Sequence, residues 1–348
     1  MQMRNRLMVF VRNSWYMAAW SGTVGAAPIA ITIANEPIVI FRTGSGVSAL
    51  YDVCPHRAVP LSLGHVAGET IVCPYHGIAF DGGGICRKNP HVKGPPERLK
   101  TRAYPVAERD GIIWVWTGDQ ASADINAIPD YSWFDTPSEF ATARGYLHVE
   151  ADYRLVIDNL MDLAHADYIH ANTVGQPGAA EVQQAAVVRD GKTISVNTMW
   201  PDLPPSAFHR QAWTKTERVD KYLDMKWQPV SNLLLDLGVM APGDPRKNGI
   251  RTPGAHILTP ETERTTHYFW ASSRDFKLDD TALTARIGEL IGTAFGSEDK
   301  PIIEAAQRNI ERTGATLRNL TTGDSGSALV RRELDRLATQ EQATTVPA

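Results

Sequence analysis

Short apolar runs separated by glycine- and proline-rich turns fill the first third of the chain. Glycines within 44–46 and 81–84 supply turn chemistry, because glycine adopts positive φ without steric cost. No segment of useful length with helical periodicity interrupts this region. The pattern therefore predicts a small all-β domain, with strands at residues 37–42, 47–51, 70–72, 78–80 and 112–116.

The hydrophobic pattern changes after residue 118. Residues 119–130 are polar and turn-rich, which predicts a linker and hence two domains, 8–118 and 119–348. Residues 153–170 lack glycine and proline and carry apolar side chains at helical spacing, so they predict a helix. The second domain is predicted to be α+β, with helices grouped against an antiparallel sheet whose strands lie at 193–200, 233–240, 255–258 and 265–271, and with further helices at 281–312 and in the tail from 313.

Composition narrows the class of protein. The 348 residues suit two domains, and 43% hydrophobic and 21% charged residues are typical of a globular chain. A formal charge of −4 with scattered basic residues argues against nucleic acid or an anionic membrane as a partner. The apolar runs are too short to span a bilayer, and the N-terminus does not fit a secretory signal, with Met8 an alternative start. Three cysteines form no disulfide framework, which favours the cytoplasm.

Two short pairs of cysteine and histidine predict a first metal site. Cys54-Pro-His56 and Cys73-Pro-Tyr-His76 are separated by sixteen residues, and each pair lies beside a turn. Two thiolates and two imidazoles suit either tetrahedral zinc or a [2Fe–2S] cluster. Each pair mixes cysteine with histidine, each cysteine precedes a proline, and no helix carries the histidines, which together favour the cluster over a zinc ribbon or finger. Cys86 lies outside both pairs and is expected to be a small buried hydrophobic residue.

A second candidate metal site lies in the predicted helix 153–170. Asn159, Asp162, His165 and His170 concentrate polar side chains within an otherwise apolar segment. His165 and His170 are five residues apart, about 140° around an ideal helix, so both reach one metal only if the helix is irregular there, as at a π-bulge. A lone histidine would be interpreted as a core residue. Two histidines beside carboxylates, downstream of the first motif, predict a metal site.

The two constellations together resemble the Rieske non-haem iron oxygenases, in the branch that contains vanillate O-demethylase and dicamba monooxygenase. The resemblance covers nearly the whole chain and includes residues 10–16, 152–155 and 259–263. It implies an N-terminal Rieske [2Fe–2S] domain and a C-terminal catalytic domain with a mononuclear Fe(II). The implied cluster ligands are Cys54 and Cys73 for one iron and His56 and His76 for the other.

The family pattern also implies which residues hold the mononuclear iron. His165 and His170 match the two histidines of a facial triad, which leaves other positions open for dioxygen. Asp299 matches the third ligand, and Glu298 and Glu304 are its rivals along the sequence.

Two further polar residues of the second site acquire roles from the same resemblance. Asp162 is implied to bridge a histidine of the iron site to a cluster histidine of a neighbouring subunit, accepting N–H bonds from both imidazoles. Asn159 is implied to lie near the iron as a distant or indirect ligand. A bridge between subunits requires a closed ring, and the family commonly forms trimers, so a homotrimer is expected.

The implied activity is oxidative O- or N-dealkylation of an aromatic compound by a monooxygenase. Electrons from NADH would arrive through a reductase or ferredoxin partner, because the chain has no nucleotide-binding G-x-G-x-x-G. One atom of O2 would enter a C–H bond of the alkyl group, and the hemiacetal or carbinolamine would collapse to an aldehyde and a phenol or amine. Hydroxylation of an aryl methyl group, ring dihydroxylation and a stand-alone electron carrier are the alternatives.

Two residues are candidates for contact with the substrate. His256 lies on a predicted strand and matches a position that contacts substrate in dicamba-type members. Asp236 interrupts an apolar run, and if it points inward it would repel a carboxylated aromatic and favour a neutral one. If it points outward it carries no information about the substrate, and strand alternation alone leaves both orientations open.

Overall fold

The computed structural model describes residues 10–93, 99–170, 173–175, 179–206, 208–318, 321 and 323–345. By its internal contacts the chain divides into two units, Met1–Asp130 with Thr259–Thr262, and Tyr131–Leu258 with Glu263–Ala348. The domain boundary at residue 118 stays a prediction, and the expected start at Met8 lies outside the described residues. Within the described part of the chain, no helix is both long enough and apolar enough to cross a membrane.

The first unit consists of short strands, as the sequence predicts. The run predicted at 37–42 is the strand Glu36–Thr43, whose four central residues are fully buried because a continuous apolar run packs on both faces. The other four predicted strands are also present, within one residue at each end. The strands are β1 (Trp15–Trp20), β2 (Ile29–Ile33), β3 (Glu36–Thr43), β4 (Gly46–Tyr51), β5 (His65–Ala67), β6 (Thr70–Val72), β7 (Ala79–Asp81), β8 (Cys86–Lys88), β9 (Ala103–Tyr104), β10 (Val106–Arg109) and β11 (Ile112–Trp116).

These strands pair into three sheets, with the orders β1-β11-β10, β2-β3-β4-β9 and β5-β6-β7-β8. Glycine at the turns permits the tight reversals: Gly46, at φ 121°, begins β4 directly after β3. The second Cys/His pair lies between β6 and β7 of the third sheet, and the first pair lies in the connection from β4 to β5.

The second unit is built around one sheet of eight strands. Its four predicted strands are confirmed, and four more are present that the apolar pattern did not reveal. The strands are β12 (Ala141–Val149), β13 (Gln184–Asp190), β14 (Thr193–Leu203), β15 (Val219–Gln228), β16 (Asn232–Met240), β17 (Ile250–Arg251), β18 (Gly254–Pro260) and β19 (Thr266–Arg274). They follow the order β12-β19-β18-β16-β15-β14-β13, with β17 on β16, and the central pairs are antiparallel.

The region predicted as one helix, 153–170, is interrupted. The helix α1 (Tyr153–Met161) ends at Asp162, which has an extended backbone at φ −112° and ψ 103°. The Asp162 carboxylate then accepts the N–H of Ala164 at 3.0 Å and so begins a 3₁₀ turn, Leu163–His165, which leads into α2 (Ala166–Ile169). The irregularity that the two histidines require is therefore confirmed, but it is a break at a capping aspartate and the π-bulge is wrong.

A π-helical turn is present instead in the late helix. The predicted helix 281–312 consists of α4 (Thr281–Thr293), the π turn Ala294–Asp299 and α5 (Lys300–Thr313). Pro301, the second residue of α5, has no N–H to donate to the carbonyl four residues earlier, so the α-helical hydrogen-bond ladder is interrupted beside the wider turn. The remaining helices are α3 (Ala179–Val182) and α6 (Asp324–Thr345).

Candidate functional site

The two predicted cluster loops share one backbone geometry. The N–H four residues after each cysteine donates to that cysteine's carbonyl, from Ala58 to Cys54 at 2.9 Å and from Gly77 to Cys73 at 3.0 Å. Both donors have positive φ, 56° at Ala58 and 68° at Gly77, which turns the chain back toward the cysteine. The two loops therefore present their cysteines in the same way, with a histidine two residues later in one and three residues later in the other.

Burial divides the four candidate ligands into two kinds. Cys54 and Cys73 are each 2% exposed and belong to the apolar core of the first unit. Burial raises the pKa of the Cys54 thiol, and the neighbouring Cys73 acts in the same direction. His56 is exposed and His76 half-buried, and their ring centroids are 4.6 Å apart. Two buried thiols beneath two adjacent, more exposed imidazoles are a donor set that fits a [2Fe–2S] cluster with its histidine-bound iron toward solvent.

Cys86 takes no part in this arrangement. It is 1% exposed, packs in the same apolar core and directs its Sγ toward the carbonyl of Lys88 at 3.4 Å. The prediction that Cys86 is a buried hydrophobic residue is confirmed.

The second candidate site brings together side chains from two distant segments. His165, His170 and Asp299 each place a ligand atom within 4.8 Å of the others, and they form a possible metal site. His165 Nε2 lies 3.6 Å from Asp299 Oδ1, and His170 Nε2 lies 3.2 Å from Asp299 Oδ2. His170 and Asp299 are both 3% exposed. Two imidazoles and one carboxylate converging on one point are the donor set of a 2-His-1-carboxylate iron site.

Hydrogen bonds on the far side of each ring orient the two histidines. The Nδ1 of His170 pairs with the Glu298 carboxylate at 2.7 Å, and the Nδ1 of His165 pairs with the main-chain carbonyl of Asp162 at 2.5 Å. With an acceptor at each Nδ1, the proton resides there and both Nε2 atoms are left as lone-pair donors toward the site. Thr173 donates to the same Glu298 oxygen at 2.6 Å.

The rival carboxylates have other partners. Glu298 contacts the outer nitrogen of His170, as described, and Glu304 accepts the N–H of Glu150 at 2.9 Å and pairs with Lys300 at 2.7 Å. Only Asp299 among the three faces both imidazoles, because the π turn directs consecutive side chains, Glu298 and Asp299, to the two sides of His170.

The electrostatics of this site favour a cation. Burial opposes the charged form of His170, but hydrogen bonds and charge from Asp299, followed by those from Glu298, together raise its pKa above the usual value. Two carboxylates bracket one buried imidazole, so the site carries excess negative charge. A divalent metal bound at the Nε2 atoms neutralises that charge, and the residues present therefore fit the ion.

Asn159 and Asp162 are close to the site in different ways. The Asn159 side-chain amide donates from Nδ2 to Asp299 Oδ1 at 3.0 Å, which holds the carboxylate in place. Asp162 contacts His165 through its main-chain carbonyl, so the expected carboxylate-to-histidine hydrogen bond is absent from this chain's described contacts. The Asp162 carboxylate instead packs close to Gly323: a Cβ added to that glycine would lie only 2.4 Å from Asp162 Oδ1.

A mostly apolar cavity opens beside the three candidate iron ligands. The space, including the part open to solvent, is about 910 Å³, and it continues into a second lobe of about 520 Å³ that shares part of its wall. Its walls come from the apolar face of the central strands and from the late helix. The residues that line both lobes are Val174, Lys221, Leu235, Leu237, His256, Ile291 and Phe295. A concave apolar chamber with a few polar groups is typical of a small-molecule site.

His256 lines both lobes of the cavity and is 3% exposed. Its Nδ1 pairs with the Tyr268 hydroxyl at 2.6 Å, and its ring packs edge-on to Phe295 at 5.1 Å. Burial lowers the pKa of His256 to about 4, against the opposing charge of Asp299. The imidazole is therefore neutral near neutral pH and offers one hydrogen-bonding nitrogen besides Nδ1. Its contact with substrate stays a prediction.

Asp236 does not line the cavity. Its neighbours Leu235 and Leu237 do, and because side chains alternate along a strand, Asp236 points to the opposite face of the sheet. There it is 40% exposed and pairs with Arg251 at 3.2 Å. The inward orientation weighed above is therefore wrong, and Asp236 gives no reason to exclude a carboxylated substrate.

Lys221 is the cavity residue that sequence reasoning missed. The strand β15 places Val219, Lys221, Leu223 and Met225 on one face by its period of two, and the last three of these line the cavity. A lysine at an inward position of an apolar face was visible in the sequence. The sequence pattern did not predict a strand here, because charged residues such as Asp220, Asp224 and Lys226 interrupt the apolar residues of β15.

Two family models match different parts of this chain. A Rieske [2Fe–2S] domain model matches residues 14–105. A model described as the vanillate O-demethylase oxygenase C-terminal domain matches residues 149–340.

Individual relatives align over nearly the whole chain. The dicamba O-demethylase oxygenase component of Stenotrophomonas maltophilia is 39% identical over 344 residues, which cover 97% of this chain and 100% of the relative. The chloroacetanilide N-alkylformylase oxygenase component of Rhizorhabdus wittichii is 37% identical over 94% of this chain and 95% of its own. Among solved structures, dicamba monooxygenase bound to 3,6-dichlorosalicylic acid superposes with a TM-score of 0.92 at 38% identity, covering 97% of this chain and 100% of that one.

Proposed function

Because this chain belongs to the Rieske non-haem iron oxygenases with a vanillate O-demethylase-type C-terminal domain, we propose that it catalyses oxidative O- or N-dealkylation of an aromatic compound. It is the oxygenase component of a multicomponent enzyme that depends on a partner reductase or ferredoxin. The family carries one [2Fe–2S] cluster and one mononuclear iron in each subunit, and the two donor sets described above fit them.

One observation carries the proposal: the pocket formed by His165, His170 and Asp299 opens directly into the apolar cavity. A stand-alone electron carrier has no use for such a chamber. When bound, the cluster supplies electrons singly and the mononuclear iron activates dioxygen. The apolar walls exclude water and hold the alkyl group of an aromatic substrate beside the three ligands.

Overall, NADH provides two electrons, one oxygen atom enters a C–H bond of the alkyl group and the other leaves as water with two protons. The resulting hemiacetal or carbinolamine releases an aldehyde and a phenol or amine. Within the chain, Asn159 fixes the Asp299 carboxylate by its 3.0 Å hydrogen bond, and Glu298 fixes the His170 tautomer. These contacts keep the ligand atoms in position while substrate enters and leaves.

The assembly of the enzyme forms part of the proposal. We expect a homotrimer in which Asp162 connects the iron site of one subunit to a cluster histidine of its neighbour. Two features support this: the His56 ring is exposed, and the Asp162 carboxylate lines a surface depression together with Asp158 and Arg331. The cytoplasmic location expected from the cysteine count stays a prediction.

The test combines the purified oxygenase with a generic NADH-dependent reductase and a panel of methoxy-aromatics, N-alkyl anilides and aryl ureas. We expect NADH- and O2-dependent release of an aldehyde from at least one class. Aryl methyl substrates in the same panel distinguish dealkylation from methyl hydroxylation, because only the former releases an aldehyde from the ring substituent.

A matched pair of variants assigns the third iron ligand. Asp299→Asn is expected to lose iron and aldehyde release while the visible absorption of the cluster stays intact. Glu304→Gln, which alters the rival acid outside the site, is expected to retain both. Full iron content in Asp299→Asn would refute the assignment of Asp299 as the third ligand. Turnover by the wild type after its mononuclear iron is removed would refute the proposed function.

A further inference from the structure

A bidentate ion pair joins the last helix of the chain to the helix that leads into the iron site. Arg331 of α6 donates from Nε to Asp158 of α1, at 2.8 Å to Oδ1 and 2.9 Å to Oδ2, and it also donates from Nη2 to Oδ2. Both side chains are partly buried. Parallel contacts between a guanidinium and a carboxylate fix orientation as well as distance, so the pair holds α6 and the last turn of α1 in one relative position.

The last turn of α1 directs neighbouring side chains to different partners. Asp158 faces α6, and Asn159, the next residue, donates to the Asp299 carboxylate at 3.0 Å. Consecutive side chains of an α-helix point about 100° apart, so a rotation of α1 that moved Asp158 would also withdraw Asn159 from Asp299. The contact between Arg331 and Asp158 therefore affects the third candidate iron ligand, although Arg331 does not touch it.

A glycine directly before α6 makes a second close approach to the iron-site segment. A Cβ on Gly323 would lie 2.4 Å from Oδ1 and 2.9 Å from Cγ of Asp162. The Asp162 carboxylate cannot withdraw without losing the N–H of Ala164, and that hydrogen bond begins the 3₁₀ turn that carries His165. Gly323 does not have a positive φ, so its backbone conformation does not require glycine. The space beside Asp162 requires it.

The wall of the iron site is thin on the side that faces α6. Asn159 and His165 line both the catalytic cavity and the surface depression that Arg331 borders. At these two residues a single layer of side chains therefore separates the cavity from the depression. With so little packing behind them, the positions of Asn159 and His165 depend on the contacts that their segment makes with α6.

We propose that Arg331 and Gly323 are positioning residues for the iron site. Through Asp158, Arg331 keeps Asn159 within hydrogen-bond distance of the third ligand. Gly323 leaves the space in which the carboxylate at the end of α1 supports the turn of the first histidine ligand. The inference rests on the proposed function, because it assigns these roles toward the mononuclear iron.

The expected effect is smaller than that of a residue in direct contact with a ligand. Removing such a residue typically lowers metal affinity about 10- to 100-fold. Asn159 is one of these, because it contacts Asp299, whereas Arg331 acts on Asn159 only through the last turn of α1. We therefore expect about a three- to tenfold loss of iron affinity from Arg331→Met, most of it transmitted through Asn159.

The experiment measures iron affinity of the folded, cluster-containing oxygenase by competition with a ferrous chelator, anaerobically and without substrate or reductase. Arg331→Met and Asn159→Ala are each compared with the wild type and with the variant that carries both substitutions. Arg332→Met is the matched control, because Arg332 is exposed on the same helix and borders the same depression. Urea denaturation of every variant reports the free energy of unfolding separately from the iron affinity.

We expect Arg331→Met to lower iron affinity about three- to tenfold when Asn159 is present, and less than about twofold when residue 159 is already alanine. Arg331→Lys keeps the charge but not the fork of donors and should recover part of the loss. If Arg331→Met does not fold, Arg331→Lys is compared in the same two backgrounds. Unaltered affinity, an equal loss in both backgrounds, or the same loss in Arg332→Met would overturn the role of Arg331, whatever the effect on stability.

Gly323→Ala tests the second contact. The added Cβ should displace Asp162 and with it the turn of His165, and so change the EPR spectrum of nitric oxide bound to the ferrous ion at the site. Gly288→Ala is the control and should leave that spectrum unchanged, because the nearest neighbour of its Cβ is Ala143 Cβ at 3.5 Å, an ordinary contact. An unchanged spectrum in Gly323→Ala would contradict the role of Gly323.

Iron binding and turnover separate this inference from the proposed function. Weaker iron binding in Arg331→Met, with no aldehyde release from the wild type in the complete system, would leave the positioning role standing and contradict the dealkylation. Aldehyde release by the wild type, with unaltered iron affinity in Arg331→Met, would support the dealkylation and contradict the positioning role.

Discussion

Replacing His209 tests how burial of an imidazole affects the stability of the second unit. Burial lowers the pKa of His209 from 6.5 to about 3, and the nearby Lys221 ammonium acts in the same direction. Above pH 6.5 neither the folded nor the unfolded chain binds a proton at this ring. As the pH falls below that value, the unfolded chain binds one and the folded chain does not. The stability associated with the neutral ring is therefore lost progressively between pH 6.5 and about 3.

The size of this loss follows from the two pKa values. Between about pH 7.5 and about pH 5, the unfolded ring gains most of a proton while the folded ring stays neutral, which lowers the free energy of unfolding by about 2 kcal/mol. His209→Gln removes this loss. Burial also lowers the pKa of His256, but that ring is present in both proteins and its effect cancels in the comparison.

The assay is urea denaturation at the two pH values, followed by tryptophan fluorescence. The wild type should lose about 2 kcal/mol more stability on acidification than His209→Gln does. Ser206→Ala is the control, because it removes the 2.8 Å contact to Nδ1 but keeps a buried imidazole. It should lower stability at both pH values and keep the acid-dependent loss. If His209→Gln lost as much stability on acidification as the wild type, the ring would not be held neutral by burial.

Three other substitutions have expected outcomes. Glu298→Gln weakens the hydrogen-bond partner of His170, a proposed iron ligand, and should lower iron affinity about 10- to 100-fold in a chelator competition. The cluster spectrum should stay unchanged, and unaltered iron affinity would contradict this role. Asp236→Asn removes an exposed ion pair with Arg251 and should change the free energy of unfolding by less than about 1 kcal/mol, because exposed ion pairs contribute little to stability; a larger loss would contradict the exposed position. Gly145→Ala would place a Cβ 2.2 Å from Cζ2 of Trp270 and should lower the free energy of unfolding by about 1–3 kcal/mol. The control is Gly25→Ala, whose Cβ meets nothing within 4 Å and which should leave that free energy unchanged.

Local patterns explain why much of the architecture could be predicted. Continuous apolar runs such as Ile112–Trp116 form strands because both of their faces are covered. The helix at residue 153 begins where Asp152 caps it, and its Oδ1 accepts the N–H of Arg154 at 3.0 Å. The break at Asp162 was missed, although the same kind of capping causes it, because aspartate within an amphipathic run also occurs on the exposed face of an unbroken helix.

The chemical identity of the two metal sites was present in the sequence, because cysteine and histidine at short spacings beside turns have few other uses. The residue pattern by itself did not show which of the neighbouring acids completes the second site. Asn159 and Asp299 are 140 residues apart in the chain, and their contact depends on where α1 and the π turn pack. Pro301 causes that turn, but only the folded helix shows which neighbouring side chain then faces the histidines.

The sequence by itself determined the residue types, the strand-rich first domain and the mixed second domain, because these depend on spacing along one segment. Tertiary structure alone decided the polarity of the cavity. An inward Asp236 and an inward Lys221 are equally compatible with the composition, and they would give the cavity wall side chains of opposite charge. Which one faces the chamber depends on which face of the sheet is covered by the late helix, and that is a contact between segments that no local pattern encodes.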